Sequence, residues 1–345
     1  MRLSRPWIVA LLAGALNASP AYAAGEQPLT FTRTDPVSQD KLYDALLDAL
    51  YATFGKHPGF RATHAKGLLV NGTFTASPAA ATLSRAAHLQ GKPVPVVLRF
   101  SNFSGVPATV DGDPLASPRG FAVRFKLPNG EFTDIVGHSF DGFPVATPLE
   151  FLGFLKGIAA TVATPRDPQP LQAFLAEHPR ARHFLETPKP APSSYTSIEY
   201  FGVNALVFSN RENREQIVRY RIEPLTGQSL LSDQQAARMP ADYLQDELTA
   251  RLAKGPAQMR LIAQLAAPGD VIEDGSIPWP RNRREVELGI FTLDSVVPAD
   301  DQQTAQQRLD FSPGRLLDGI ALSRDPMPLT RDRIYHRAVL RRQQP

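Results

Sequence analysis

Arg331 and Tyr335 stand four residues apart in a chain of 345 residues. On a helix that spacing puts both side chains on one face. A guanidinium beside a phenol favours the phenolate, and a phenolate is a hard anionic donor suited to ferric iron. Arg342 follows Tyr335 two turns later on the same face, within reach of a carboxylate at the rim of the same ligand. Spacing alone leaves a plainer alternative open, since an arginine and a tyrosine on a basic helix are usually surface features. Arg99 interrupts the apolar run Val96-Val97-Leu98-Arg99-Phe100. Its burial would be costly without an anion; the alternative is an edge position facing water. His64 lies in Arg61-Ala62-Thr63-His64-Ala65-Lys66-Gly67. Histidine is the side chain best placed to move protons near neutrality, although a lone loop histidine is more often solvated or structural.

Other chemistries are excluded by what the chain lacks. There is no cysteine, so disulfides, thiolate haem ligation, iron–sulfur clusters and c-type haem attachment are ruled out. The histidines, at 57, 64, 88, 138, 178, 183 and 336, show no pair at metal-ligand spacing, which argues against zinc. No P-loop, dinucleotide fingerprint or H-E-x-x-H occurs. Gly137-His138-Ser139 begins like a nucleophile elbow, but Asp141 stands where the second glycine must sit.

Arg2 and Arg5 precede the apolar run Trp7 to Leu16, too short to span a bilayer. Ala21-Tyr22-Ala23 is an A-x-A cleavage pattern. Residues 1–23 are therefore expected to be a secretory signal, and 24–345 a single exported domain, destined for the periplasm. Removing two arginines and no acids takes the formal charge from +3 to +1. A polycation is excluded, and with it a nucleic-acid footprint; no other stretch predicts stable membrane insertion.

The elements that must position these residues follow from periodicity. Leu42, Leu46, Leu50 and Phe54 recur every four residues, predicting a helix over 41–54. Strands are expected over 95–101 and 120–127, the second alternating Phe121, Val123, Phe125 and Leu127 against Ala122, Arg124 and Lys126. The Pro128-Asn129-Gly130 turn leads into a strand at 133–136. Helices are expected over 148–160, 170–185, 241–254 and 330–342, and strands over 197–208, 216–222, 259–266 and 286–293. Proline, at 32 residues, predicts long wrapping loops around a smaller regular core. Antiparallel hairpins interrupted by helices make the fold class α+β with a sheet or barrel core.

Taken together, the motifs resemble the catalase family. Arg61 to Gly67 resembles its R-x-x-H-A-[KR]-G motif, and Val97 to Ser101 its V-x-R-F-S strand. Pro118 to Val123 matches P-R-G-F-A-V, with Ser117 where the family has aspartate. Phe132 to Gly137 resembles the next strand. Gly319 to Tyr335 follows G-I-x-x-S-x-D-x-M-x-x-x-R-x-x-x-Y without a gap, selecting Ser323, Asp325, Met327, Arg331 and Tyr335. The resemblance covers about residues 28 to 345.

It implies a catalase-like antiparallel β-barrel with surrounding helices and long loops, with haem b (iron protoporphyrin IX) buried between barrel and C-terminal helix. Tyr335 is implied as the iron ligand and Arg331 as its partner, with Asp325 and Asn204 in the proximal network. Asn204 stands where the family has histidine. His64 is implied as the distal acid–base, oriented by Ser101. Arg61, Arg99 and Arg342 are implied to hold the haem propionates, and Phe143 and Phe151 to wall the pocket, ordinary core being the alternative for those two. His138 occupies the place of the distal asparagine. The chain stops three residues after Arg342, which resembles the small catalase-related peroxidases rather than larger catalases. The implied activity is reduction of hydrogen peroxide or organic hydroperoxides with a small-molecule electron donor. The alternatives are a true catalase and a non-enzymatic haem-binding protein; a homodimer is left open.

Overall fold

The computed structural model describes residues 36–343; the expected signal segment, residues 1–23, lies outside the described residues. The strands are β1 (Gly67–Ala76), β2 (Val94–Ser101), β3 (Gly120–Lys126), β4 (Phe132–His138), β5 (Tyr200–Ser209), β6 (Glu215–Pro224), β7 (Ala257–Leu265), β8 (Glu285–Val296) and the short β9 (Ile320–Leu322). They pair antiparallel in the order β4-β3-β2-β1-β8-β7-β6-β5-β9. A β4–β5 contact at His138 and Phe201 brings the two ends together, making an eight-stranded antiparallel barrel.

Period-two alternation decides what faces inward. Phe100, Phe121, Phe125, Phe74 and Phe291 point into the barrel with Tyr195 and Tyr200, all essentially inaccessible. Their rings meet at centroid separations such as 4.9 Å (Phe74–Phe291) and 5.3 Å (Phe121–Tyr200), in the tilted arrangements aromatic quadrupoles favour. Consequently Val97, Arg99 and Ser101 of β2, Ala122 of β3, and Val136 and His138 of β4 stand on the outer face. The β3–β4 turn forms as its residues dictate: Gly130 takes a positive φ of 85°, and the Glu131 amide donates to Asn129 Oδ1.

The longer helices pack outside the barrel: α1 (Pro36–Phe54), α2 (Pro148–Val162), α3 (Gln169–Glu177), α4 (Pro179–Glu186), α5 (Tyr243–Leu252), α6 (Ala299–Arg308) and α7 (Met327–Arg342). Thr147 and Glu150 cap α2 reciprocally, with Pro148 at its first position. α1 lies between α2 and α7, burying Leu42, Leu46, Leu47 and Leu50 against Leu152, Leu155 and Ile334. Arg337 and Arg341 of α7 pair with Asp40, Asp44 and Asp48 of α1.

Several expectations are corrected. The helix expected over 170–185 is two helices, broken at His178 before Pro179, because proline disfavours helical backbone in the residue ahead of it. β1 was not expected at all. Its Asn71-Gly72 pair reads as a turn, yet it sits mid-strand at a register shift opposite β8. There a Cβ on residue 72 would come 3.1 Å from the Leu293 Cα. α6 was also missed, since it fully buries no residue and has no apolar period to detect.

Candidate active site

One cavity lies between the outer face of β2–β3–β4 and helices α1 and α7. It encloses about 810 Å³ free of atoms, part of it open to solvent, and is lined by His64, Arg99, Ser101, His138, Arg331 and Tyr335 among others. Arg61 and Arg342 line it too. Segments from both ends of the described chain, Leu47 to Arg342, therefore meet in one place.

His64 is fixed by geometry on every side. Its backbone adopts φ 57°, the left-handed region that residues with a Cβ seldom occupy. Its amide donates to Phe103 O at 2.8 Å, and its ring stands edge-on to Phe103 at 5.6 Å. Nδ1 lies 3.0 Å from Ser101 Oγ. In the tautomer where Nδ1–H donates to that hydroxyl, Nε2 carries the free lone pair. Gly120 makes room for this pair, since a Cβ there would collide with Ser101 Oγ and come within 2.6 Å of His64 Nδ1.

His138 ends β4 and lines the same cavity, yet neither ring nitrogen makes a hydrogen bond among the described residues. The Phe140 backbone is close enough to favour the charged ring slightly, without hydrogen-bond geometry. A buried, unsatisfied donor and acceptor are an open demand for a polar partner.

Tyr335 and Arg331 share a face of α7, as their spacing predicts. Arg331 Nε donates to Tyr335 Oη at 3.0 Å, and Nη1 donates to Asn204 Oδ1 at 2.9 Å. Asn204 Nδ2 donates to Asp325 Oδ2 at 2.7 Å. The expected network of Tyr335, Arg331, Asn204 and Asp325 is thus a continuous chain. Burial raises the Asp325 carboxyl above its usual range, against the hydrogen bond from Asn204.

Arg61, Arg99 and Arg342 converge. Leu309 O accepts from Arg61 Nη2 (2.7 Å) and Arg342 Nη2 (3.2 Å). Gln306 accepts Arg61 Nη1 at its backbone oxygen (2.8 Å) and Arg99 Nε at its side chain (2.8 Å). Arg99 is only 3% exposed and sits in a central strand, which overturns the edge-residue alternative. Among the described residues none of the three forms an ion pair with an acid. Burial is the main force lowering their basicity, to about 9 for Arg99 and about 10 for Arg342, and well below the ordinary range for Arg61. The neighbouring guanidiniums lower Arg61 and Arg99 further. Three clustered cations, Arg99 and Arg342 buried and Arg61 half-buried, call for anionic groups beside them.

Phe143 and Phe151 do not line the cavity. Phe143 stands behind His138 at a centroid distance of 6.4 Å, and Phe151 behind Phe143 at 5.1 Å. The loop after β4 turns both rings into the helical core, as the ordinary-core alternative has it, and they back the His138 wall. Gln306 and the Gln307 and Leu309 carbonyls were missed by sequence reasoning. They belong to the polar α6 and its exit, where no periodicity marks them.

The histidines make a pH prediction. Burial pulls His64, His88 and His138 down from 6.5 to about 3 each, with nearby cations adding for His64 and His138. The unfolded chain therefore binds more protons below pH 6.5, so stability falls as pH drops from there towards 3. The urea midpoint should decline across that window. His88 is enclosed in the barrel against the Phe125 ring, 4.7 Å away, and lies outside the cavity. His88→Leu should lower the proton uptake on unfolding by about one; an unchanged slope would remove His88 as a source.

The comparisons with known proteins agree on one group. The family model described as Catalase matches residues 45–345. The chain is similar to a catalase-related peroxidase of Mycolicibacterium paratuberculosis, 36% identical over 299 residues, spanning 86% of this chain and 93% of that protein. It is similar to a catalase-related peroxidase of Synechococcus elongatus, 32% identical over 296 residues, spanning 85% and 86%. A fungal catalase crystal structure superposes with a TM-score of 0.74, covering 96% of this chain and 67% of that one. At 22% identity that likeness speaks for the fold alone.

Proposed function

This chain belongs to the catalase family, and on that premise we propose that it is a haem-dependent peroxidase. It reduces hydrogen peroxide or organic hydroperoxides with two electrons from a small-molecule donor. Its relatives named catalase-related peroxidase align over most of both chains. The observation that carries the reading is the cavity itself. It joins an arginine cluster with no acid partner among the described residues, a tyrosine hydroxyl held by a guanidinium, and two imidazoles.

These residues fit haem. Tyr335 Oη would ligate the iron, with Arg331 Nε donating a hydrogen bond to the same oxygen. Asn204 and Asp325 hold Arg331 in place. Arg61, Arg99 and Arg342 would hold the propionate carboxylates; Nη1 of Arg99 and of Arg342 makes no hydrogen bond to the described protein. Haem b is the form proposed, since no cysteine is present to attach a porphyrin covalently. When bound, haem supplies the ferric centre at which the peroxide O–O bond is cleaved.

The distal residues handle protons. His64 Nε2 would accept a proton from one peroxide oxygen and return it to the departing one, base then acid. Ser101 Oγ keeps the ring turned for that task. A pKa near 3 leaves His64 neutral, and so competent as a base, across the physiological range. His138 offers its unpartnered nitrogens to the peroxide or to water beside it.

The test is an oxygen electrode run beside a donor-dye assay on the haem-loaded chain, with hydrogen peroxide and with cumene hydroperoxide. Donor oxidation should dominate and oxygen release should be slow. Rapid oxygen release with little dye turnover would identify a true catalase. Inertness to both peroxides would leave a haem-binding protein without enzymatic activity.

Export is part of the same proposal. The basic start, short apolar run and Ala21-Tyr22-Ala23 pattern support cleavage after Ala23 and a periplasmic destination. Intact-mass measurement of the protein from its own host should place the N-terminus at Ala24. A chain beginning at Met1 would refute export by this signal.

A further inference from the structure

We propose that Arg99 is a positioning residue for His64: its guanidinium holds the backbone that aims the imidazole, besides facing the carboxylates of the cofactor. This rests on the peroxidase reading, in which His64 moves the proton. Arg99 Nη2 donates to His64 O at 2.9 Å and to Ala65 O at 3.2 Å. Nε donates to Gln306 Oε1 at 2.8 Å, and Gln306 Nε2 donates to Gly67 O at 3.1 Å. The loop from 64 to 67 is thereby tied at three carbonyls to one guanidinium and its glutamine partner.

The loop needs this hold. His64 sits at φ 57°, a conformation that persists in a residue with a Cβ only where the surroundings impose it. Phe103 O holds its amide from one side, and Arg99 holds its carbonyl from the other. Ser101, which engages the His64 ring, lies two residues from Arg99 on the same outer face of β2. One strand therefore fixes both the backbone and the ring of His64. Gly67 permits the arrangement, because a Cβ at 67 would stand 2.5 Å from the Arg99 guanidinium carbon. Arg61 belongs to the same cationic cluster and shares Gln306, but it bonds neither His64 nor Ala65. That difference separates positioning from charge.

The experiment compares the haem-loaded wild type with Arg99→Leu, Arg99→Lys and Arg61→Leu. Crystal structures report the backbone at residue 64. Stopped-flow binding of hydrogen cyanide, which must give its proton to a distal base, reports the imidazole per bound haem. In Arg99→Leu residue 64 should leave the left-handed region. Its cyanide association and peroxide reaction should fall about tenfold to a hundredfold per haem, the scale of a misplacement near 1 Å. Arg61→Leu should retain haem poorly yet keep the wild-type backbone at 64. Arg99→Lys, which keeps the charge without the planar fork, should recover haem retention more than cyanide rate. If Arg99→Leu fails to fold, Gly67→Ala, whose Cβ would press on the guanidinium and on Phe100 O, preserves the charge and should displace His64 by moving its guanidinium hold. A wild-type φ at residue 64 together with wild-type cyanide rates, in Arg99→Leu or in Gly67→Ala, would overturn the proposal. Failure of the wild type to take up haem would refute the peroxidase reading instead, and the backbone at 64 in the haem-free variant would still decide this one.

Discussion

Tyr335→Phe is expected to lose haem, or to keep a small remnant lacking tyrosinate-to-iron charge-transfer absorption. The substitution removes one oxygen and leaves the ring packing of α7 against α1 in place. The effect is therefore on the ligand and not on the fold. Removal of an outer partner of a metal ligand typically costs about 10–100-fold in affinity; removal of the ligand itself should exceed that. Arg331 would then have its Nε unpaired beside the cavity while still bonded to Asn204. Arg331→Leu, which spares the phenol, should weaken haem binding less than Tyr335→Phe. Titration of the haem-free protein with hemin, followed by absorption and by near-infrared charge-transfer bands, measures both. A Tyr335→Phe protein with wild-type spectrum and haem content would show that the proximal assignment is wrong.

His64→Ala should lower the peroxide reaction by about 10²–10⁴-fold, the usual scale for removal of a general acid–base. Haem content should change little, because the ring contacts Ser101 and Phe103 and is not among the groups proposed to bind haem. His138 decides what happens next. Oxidation of a second hydrogen peroxide needs a small polar group fixed beside the acid–base. A bulkier imidazole with no hydrogen bond of its own supplies less definition. His138→Asn should therefore shift the balance from donor oxidation towards oxygen release. Stopped-flow measurement of the peroxide step, with an oxygen electrode beside a dye assay, reads both effects. An unaffected His64→Ala protein would undo the proposed mechanism; an unmoved ratio in His138→Asn would detach His138 from the choice between the two activities.

Local chemistry was legible because it is local. The four-residue interval of Arg331 and Tyr335 guarantees a shared helix face whatever surrounds it, and their hydrogen bond follows. Alternation in Gly120 to Leu127 similarly announces which side of β3 is buried, and the structure buries Phe121, Val123 and Phe125. The order of motifs along the chain was enough to imply the barrel. Periodicity fails where burial is absent or covers both faces. α6 fully buries no residue and so leaves no apolar trace, yet its Gln306 ties Arg61 to Arg99. β1 carries an Asn-Gly pair that reads as a turn, and only pairing with both β2 and β8 holds it straight.

The tertiary structure alone decided which distant residues share a cavity. Arg61, Arg99 and Arg342 come from a loop, a strand and a helix, and nothing in their spacing says that Leu309 and Gln306 carbonyls bring them together. It also decided that Arg99 faces outward from a central strand, that the His138 nitrogens have no hydrogen-bond partner among the described residues, and that Phe143 and Phe151 stand behind the cavity wall. The physical reason is the range of the forces. Helix and strand periodicity arise from contacts within a few residues. Convergence depends on strand order, on barrel closure between β4 and β5, and on the packing of α1 and α7 over one outer face, all set by contacts between segments distant along the chain.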